Sequence, residues 1–372
     1  MSELFASFKL GQVELSNRVV VSPMCQYSAD DGVAGDWHMH HLVQYGYSGA
    51  GLITLEATGV ERRGRITHGC LGLYSDACET ALACIIRSSR RFAGPARFGI
   101  QLAHAGRKAS AHLPWKGGGP LGPEDDPWQT VAPSAVPFAE GWPAPGALNE
   151  DGIERTLNAF VDAAKRAARA GFDAVEIHAA HGYLLHEFLS PISNRRTDSW
   201  GGSLENRMRF PLAVVSSVRA ALPSGMAVGV RITGTDWTEG GWGIDDAVVF
   251  ARELKVLGAD YVCVSSGGIT HPLQVPQTQG YNVPMAARIR KETGMATQVV
   301  GMILTPSQAE EIIKSGQADM VCLARCFLDD PRWVWHAAEE LNARVHYPPQ
   351  YERARRSVWP GAGILRPFKD RE

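Results

Sequence analysis

A (β/α)₈ barrel is the fold this sequence predicts, and three observations carry the prediction. Eight short runs rich in Val and Ile are spaced along it, segments of helical period lie between them, and glycines stand where those helices should stop. Strands that are apolar on both faces suit a parallel sheet covered by helices, and eight β–α units suit its closure into a barrel. An open doubly wound sheet is the rival arrangement.

The first run, Arg18–Ser22, is followed by Gly51–Ala57, Arg97–Leu102, Asp173–His178, Met226–Ile232, Ala259–Ser265, Thr297–Gly301 and Asp319–Ala324. Helical period occupies Asp76–Ala93, Glu150–Ala170, Leu204–Ala220, Ile244–Leu257, Pro284–Thr293 and Thr305–Ser315. In Ala170-Gly171-Phe172 and Leu257-Gly258-Ala259, a glycine takes the left-handed position that ends a helix before the next strand. Thr305-Pro306-Ser307-Gln308 offers an N-cap, a first-turn proline and a capping-box glutamine. The stretch His112–Asn149 breaks the pattern, with Gly117-Gly118-Gly119-Pro120 and the indoles of Trp115, Trp128 and Trp142. It follows the third strand, on the face where barrels hold their active sites. That position suggests a lid or pocket wall, with a plain surface excursion as the alternative.

Composition narrows the function class. At 372 residues, 45% hydrophobic and 20% charged, the chain can bury a large core without disulfides, and a barrel of this length is commonly one domain. A single domain is expected over residues 1–372, the barrel over about 1–342 and a tail over about 343–372. With 37 Lys plus Arg against 39 Asp plus Glu, the net charge of −2 argues against nucleic acid or an anionic membrane as partner. There is no apolar run long enough to span a bilayer and no basic-then-apolar leader. Seven scattered cysteines, an odd number, suit reduced thiols, so the cytoplasm is the expected compartment.

Polar residues recur at the C-terminal ends of the strands, where barrel chemistry sits. His178-x-x-His181-x-Tyr183 is the strongest local signal. Two neutral imidazoles in the barrel mouth can hold a carbonyl oxygen and stabilise charge developing on it, and Tyr183 can donate a proton to the carbon beside it. Metal ligation competes but is disfavoured, because no carboxylate or cysteine stands at ligand spacing on the neighbouring strand ends, so no metal is expected. Two histidines satisfied in a loop are the plain alternative. Arg231 closes a strand, where it meets either an anion or an Asp or Glu at the core edge. Gln101 serves a heterocycle edge or a loop backbone. Arg325, with the backbone near Gly301 and Ala324, falls where barrels bind phosphate. Pooled, these point to a flat, phosphate-bearing cofactor.

Other patterns carry less. Gly117-x-Gly119-x-x-Gly122 follows no strand and contains Pro120, so it is a loop rather than a dinucleotide fingerprint. His38, His40 and His41 suggest a helix start with surface histidines. Cys322 and Cys326 lack metal or iron–sulfur spacing, and Cys263 and Cys322 suit small core positions.

Longer strings add a resemblance. Pro23-Met24-Cys25-Gln26-Tyr27, Glu56-Ala57-Thr58, Gln101-Leu102-x-His104-Ala105-Gly106-Arg107-Lys108, His178-x-x-His181-Gly182-Tyr183 and the run from Ser190-Pro191 to Asn206-Arg207 resemble the Old Yellow Enzyme family. The Met-Cys pair and Tyr27 resemble its YqjM-type, thermophilic-like ene-reductase and xenobiotic reductase A subgroup. The likeness runs from about residue 3 to about 353.

The resemblance implies a barrel that binds FMN non-covalently, takes hydride from NADPH or NADH, and reduces the C=C bond of α,β-unsaturated carbonyl compounds in ping-pong turnover. It assigns Ser22, Pro23, Met24 and Cys25 to the flavin surface, Cys25 tuning its potential. Ala57 and Gln101 go to the ring, Arg231 to its N1 and C2 oxygen region, and Gly301, Ala324 and Arg325 to the phosphate. It further implies that His178 and His181 bind the substrate carbonyl, Tyr183 supplies the proton and Tyr27 closes over the substrate. Gln350-Tyr351-Glu352-Arg353 resembles a terminal motif whose arginine reaches a neighbouring subunit's site, implying a homodimer or dimer-built tetramer. The chain continues for nineteen residues past Arg353, so Trp359 competes for that role. The alternatives are a flavin-free barrel lyase or isomerase using the histidine pair, which would be colourless, and a non-catalytic flavin-binding barrel.

Overall fold

The computed structural model describes residues 2–272 and 275–367. Eight parallel strands close into a barrel: β1 (Val19–Val21), β2 (Leu52–Gly59), β3 (Arg97–Ala103), β4 (Ala174–Ala179), β5 (Ala227–Thr233), β6 (Tyr261–Ser265), β7 (Thr297–Val299) and β8 (Met320–Leu323). Each strand pairs with its sequence neighbours, and Val321 opposite Val19 joins the last strand to the first. The expected barrel is therefore the observed one, and the doubly wound alternative is excluded.

Eight helices ring it: α1 (Asp36–Gly46), α2 (Asp76–Arg90), α3 (Glu150–Ala170), α4 (Leu204–Ala221), α5 (Ile244–Val256), α6 (Val283–Thr293), α7 (Pro306–Lys314) and α8 (Trp333–Glu340). Their ends follow local chemistry. The side chains of Ser75, Asn149, Ser203 and Thr305 accept backbone N–H groups in the first turns of α2, α3, α4 and α7. Gly171 and Gly258 adopt φ of +93° and +82° just past α3 and α5, a backbone state a side chain would strain. The glutamine half of the Thr305 box is shifted by one residue, since Gln308 Oε1 accepts from Leu304 N rather than from the cap.

The core has two parts. Between strands and helices lies the larger one, with Phe98, Phe160, Phe210, Phe250 and Phe327 fully buried. Inside the barrel, at the N-terminal ends of the strands, lies a smaller one. There Leu10, Val13 and Leu15 of an antiparallel hairpin (Phe8–Leu10 with Val13–Leu15) pack on Val20, Leu52, Ala174, Ala227 and Met320. The hairpin thus plugs the bottom and leaves the top for chemistry.

His38 and His41 are not surface residues: they are 1% and 8% exposed, and only His40 of the three is open to solvent. Positions 38, 41, 42 and 45 form the inward stripe of α1, so histidines occupy places that helical spacing assigns to the core. His38 Nδ1 also accepts the Gly35 N–H at 3.1 Å, so its ring caps the helix.

Candidate active site

The mouth of the barrel collects the residues singled out from sequence. His178, on the upper part of β4, and His181, in the turn beyond it, are 3.3 Å apart between Nε2 and Nδ1. His178 Nδ1 accepts the Ala180 N–H at 3.2 Å, so a neutral His178 carries its hydrogen on Nε2, toward His181. His181 Nε2 lies 2.7 Å from Ser265 Oγ at the end of β6. Burial, and then the positive charge of Arg231, hold both histidines well below the usual imidazole range. They are therefore uncharged N–H donors at neutral pH. The Tyr183 ring meets His178 edge-on at 4.9 Å, and burial pushes its phenol up, so it keeps its proton.

His181 is held in a left-handed conformation, φ +60°, by contacts to the ends of two neighbouring strands and to Lys108 beyond β3. Its N–H donates to Thr233 Oγ1 at 3.1 Å, and its carbonyl accepts from Lys108 Nζ at 2.8 Å. Lys108 also donates to Gly268 O at 3.1 Å and lies 4.9 Å over the Tyr183 ring. Burial brings this amine down to about 8. Lys108 belongs to one of the quoted strings, but its role was invisible there, because both of its acceptors are backbone carbonyls of distant loops.

Beneath the histidines lies a buried polar layer. Arg231 on β5 stands opposite His178 and donates from Nη1 to Ser22 Oγ at 3.2 Å. Its Nε is buried without a partner among the described residues. Burial opposes its charge, yet Cys263 and Glu176 hold its pKa above the ordinary value. Gln101 does not turn to a loop backbone: its Nε2 donates to Glu176 Oε1 at 2.7 Å. Cys263, paired directly opposite Arg231 on β6, and Cys322 are core residues as expected.

Along one side of the mouth runs Ser22-Pro23-Met24-Cys25-Gln26-Tyr27. It is pinned by Glu56 on β2, whose Oε2 accepts the Gln26 N–H at 2.9 Å. Glu56 sits where the β2–β3 register slips between Leu55 and Ala57, and this bulge turns its carboxyl toward α1. Burial pushes the Cys25 thiol up, so it is protonated. Tyr27, φ +51°, meets the Trp115 ring edge-on at 5.9 Å. The long segment after β3 therefore walls this side of the mouth.

Opposite, the chain leaves β7 through Gly301 and Met302, φ +129° and +49°, and leaves β8 through Ala324 into the short helix Arg325–Asp329. A Cβ at Gly301 would lie 2.8 Å from Asn282 Nδ2, so only glycine fits this approach. The exposed Arg325 begins the short helix. An unpartnered arginine nitrogen in the floor, amide and thiol groups around it and a backbone cradle at the rim fit a flat heterocycle bearing phosphate.

Arg353 is not among these groups. It is exposed on the turn Pro349–Ala354, whose Tyr351 stacks on Tyr47 at 5.6 Å and packs on Trp335. Trp359 is 40% exposed on the same tail. The tail beyond residue 367 lies outside the described residues.

Known proteins match this geometry. The NADH:flavin oxidoreductase / NADH oxidase family matches residues 3–344. The chain belongs to that family. It is 42% identical to an NADPH dehydrogenase of Geobacillus thermodenitrificans over 94% of this chain and 98% of the relative. To an NADPH dehydrogenase of Listeria innocua it is 41% identical over 95% and 99%. Among solved structures, morphinone reductase in complex with tetrahydroNAD superposes with a TM-score of 0.74 at 30% identity, over 94% of both chains. An old yellow enzyme homologue from Zymomonas mobilis gives 0.75 at 26% identity, over 93% and 94%. As a member of the flavin oxidoreductase family the chain is an oxidoreductase with an FMN-type site, and the resemblance drawn from its motifs holds. No helix among the described residues is long and apolar enough to cross a membrane.

Proposed function

We propose that the chain is an FMN-dependent ene-reductase, reducing the C=C bond of α,β-unsaturated carbonyl and related electron-poor compounds. The observation that carries this reading is the uncharged His178–His181 pair beside a protonated Tyr183, with the partly unpartnered Arg231 opposite His178 on the next strand. FMN, when bound, supplies the carrier that accepts hydride from NADPH or NADH and passes it to the β-carbon of the alkene.

The remaining work falls to the chain itself. Ser22, Pro23, Met24, Cys25 and Ala57 line the flavin, Gln101 and Arg231 meet its polar edge, and Gly301, Ala324 and Arg325 hold the phosphate without a covalent bond. His178 and His181 donate N–H groups to the substrate carbonyl. A neutral imidazole stabilises the enolate oxygen without surrendering its proton. Tyr183 gives its proton to the α-carbon, and Tyr27, backed by Trp115, covers the substrate. Both substrates use one mouth in turn, which makes turnover ping-pong. An unactivated alkene offers the histidines no anion to stabilise and is not reduced.

The same reading takes residues 1–372 as one domain, with the barrel to about 342 and an oligomer-contact tail from about 343, in support of which the family match ends at residue 344. Arg353, anchored on the outer face of its own barrel, serves a neighbour's site in a homodimer or dimer-built tetramer of the cytoplasm. Arg353→Ala then raises the enone KM several-fold, whereas unaltered kinetics would return it to the solvated tail.

A visible spectrum of the protein supplied with FMN tests the reading, followed anaerobically by NADPH and then 2-cyclohexenone. A flavin band that bleaches and then returns establishes both half-reactions. Failure to bind FMN would move the flavin-free lyase or isomerase to first place.

A further inference from the structure

Glu176 is a carboxyl in the middle of a strand, fully enclosed by the barrel, where an apolar side chain would cost far less. It has been given a built surrounding. On β4 it shares the inward face with His178, two residues on. Gln101 of β3 lies directly opposite and donates to its Oε1 at 2.7 Å. Tyr261 belongs to β6, two strands away, and still reaches Oε2 at 3.3 Å. It does so by lying across Gly229 of β5, where a Cβ would come within 2.0 Å of the phenol ring. Arg231 of β5 stands one step up the same inner face, and Cys263 of β6 and Cys322 of β8 complete the charged and titratable groups around the carboxyl.

We propose that Glu176 is a positioning residue for the cofactor: it orients the Gln101 amide and counters the charge of Arg231, and so sets the reduction potential of bound FMN and its dependence on pH. This rests on the flavin reading above. With Nε2 turned inward to the carboxylate, Gln101 presents its oxygen to the mouth as an acceptor for a ring N–H. Arg231, held at Nη1 by Ser22 Oγ, feels the Glu176 charge through space. Hydride transfer from NADPH or NADH adds negative charge above Arg231. That charge competes with the carboxylate, and one proton from solvent ends on a Glu176 oxygen. Nothing but the nicotinamide is oxidised, and nothing but the flavin is reduced. Burial, the chief cause of the raised Glu176 pKa, favours the protonated carboxyl that this uptake requires.

The test is a redox titration of FMN-loaded wild type, Glu176→Gln and Tyr261→Phe between pH 6 and 9, with the FMN Kd measured alongside. In Glu176→Gln the potential is expected to match wild type at the acid end. At the alkaline end its reduction equilibrium is expected to be at least tenfold more favourable, about 30 mV more positive. Tyr261→Phe keeps the carboxyl but removes a donor to its charged form, so the break in the wild-type curve moves to higher pH. It also carries the test if Glu176→Gln does not fold. Potentials that track wild type at every pH, in FMN-replete variants, would overturn the proposal and leave the flavin reading standing. A wild type that takes up no FMN would overturn both.

Discussion

The two ends of one barrel interior are made of opposite chemistry. At the lower end Val20, Leu52, Ala174, Ala227 and Met320 close on a hairpin of Leu10, Val13 and Leu15. At the upper end the strands carry Gln101, Glu176, His178, Arg231 and Ser265 instead. Both layers are buried, but only the lower one gains from burial. The upper layer holds an arginine nitrogen without a partner, a carboxyl pushed toward its neutral form and two imidazoles held uncharged. Those are costs of desolvation, and the lower layer and the outer helix packing must offset them. Stability therefore resides at the N-terminal end of the strands and reactivity at the C-terminal end.

The sharpest way to break the comparison is to exchange the losses. Leu52→Ala, in the lower layer, is expected to cost about 2–5 kcal/mol in chemical denaturation while leaving the kinetics of the surviving folded protein unchanged. His178→Ala combined with His181→Ala should do the reverse. FMN binding and Tm stay near wild type, and enone turnover falls by roughly 100-fold or more, the scale of losing oxyanion donors. Undiminished turnover in the double variant would remove the histidine pair from the mechanism. A Leu52→Ala protein as stable as wild type would dissolve the division between layers.

Lys108 probes the seam between the layers and the loops. Its ammonium ties the His181 carbonyl to the Gly268 carbonyl, so Lys108→Met frees the turn that carries His181. An approximately tenfold fall in kcat, with Kd for FMN unchanged, is expected on the scale of one buried charged hydrogen bond. Since the wild-type amine titrates near 8, loss of its charge above that pH should carry wild-type kcat down toward the variant's, whose own profile stays flat there. Parallel pH profiles for the two proteins would show that the contact positions nothing.

How far the sequence reveals these layers follows from what each depends on. The alternation of runs and helices, the cap at Thr305 and the glycine stops depend on residues close in the chain, and they are legible. So are Arg231 and His178, because a charged or polar group ending an apolar run is conspicuous without knowing its neighbours. The partners are another matter. Gln101 meets Glu176 only through the β3–β4 register, and Tyr261 reaches Glu176 only across Gly229. Lys108 finds its carbonyls only after two loops have folded over it. Glu176 itself interrupts the run Asp173–His178 in mid-strand, but nothing close in the chain says what it meets. His38 and His41 mislead for the opposite reason: their helical spacing marks a buried face, but their polarity suggests an exposed one.

Glu56 supplies the finest measure of what the upper rim costs. Its carboxyl is pushed up to about 8 by burial, while His38, 3.6 Å away, is brought down to about 4 by the same cause. Their contact at pH 7 is thus between neutral groups rather than an ion pair. For Glu56 the folded protein keeps a proton that the unfolded chain releases near 4.5, so the native state binds more protons across the interval up to about 8. Stability from this group is complete below the unfolded value and is lost as pH rises through the folded one. His38 has the opposite slope, but only between about 4 and its ordinary 6.5, which leaves pH 6.5 to 8 as the clean window. Glu56→Gln keeps an acceptor for the Gln26 N–H and cannot ionise. Across that window wild type should lose about 1–2 kcal/mol relative to the variant, measured as denaturation free energies at matched pH. Two parallel lines would mean that Glu56 is already ionised in the folded protein. Its pairing with His38 would then be ionic, and the cost of the rim would lie in holding that charge rather than in excluding it.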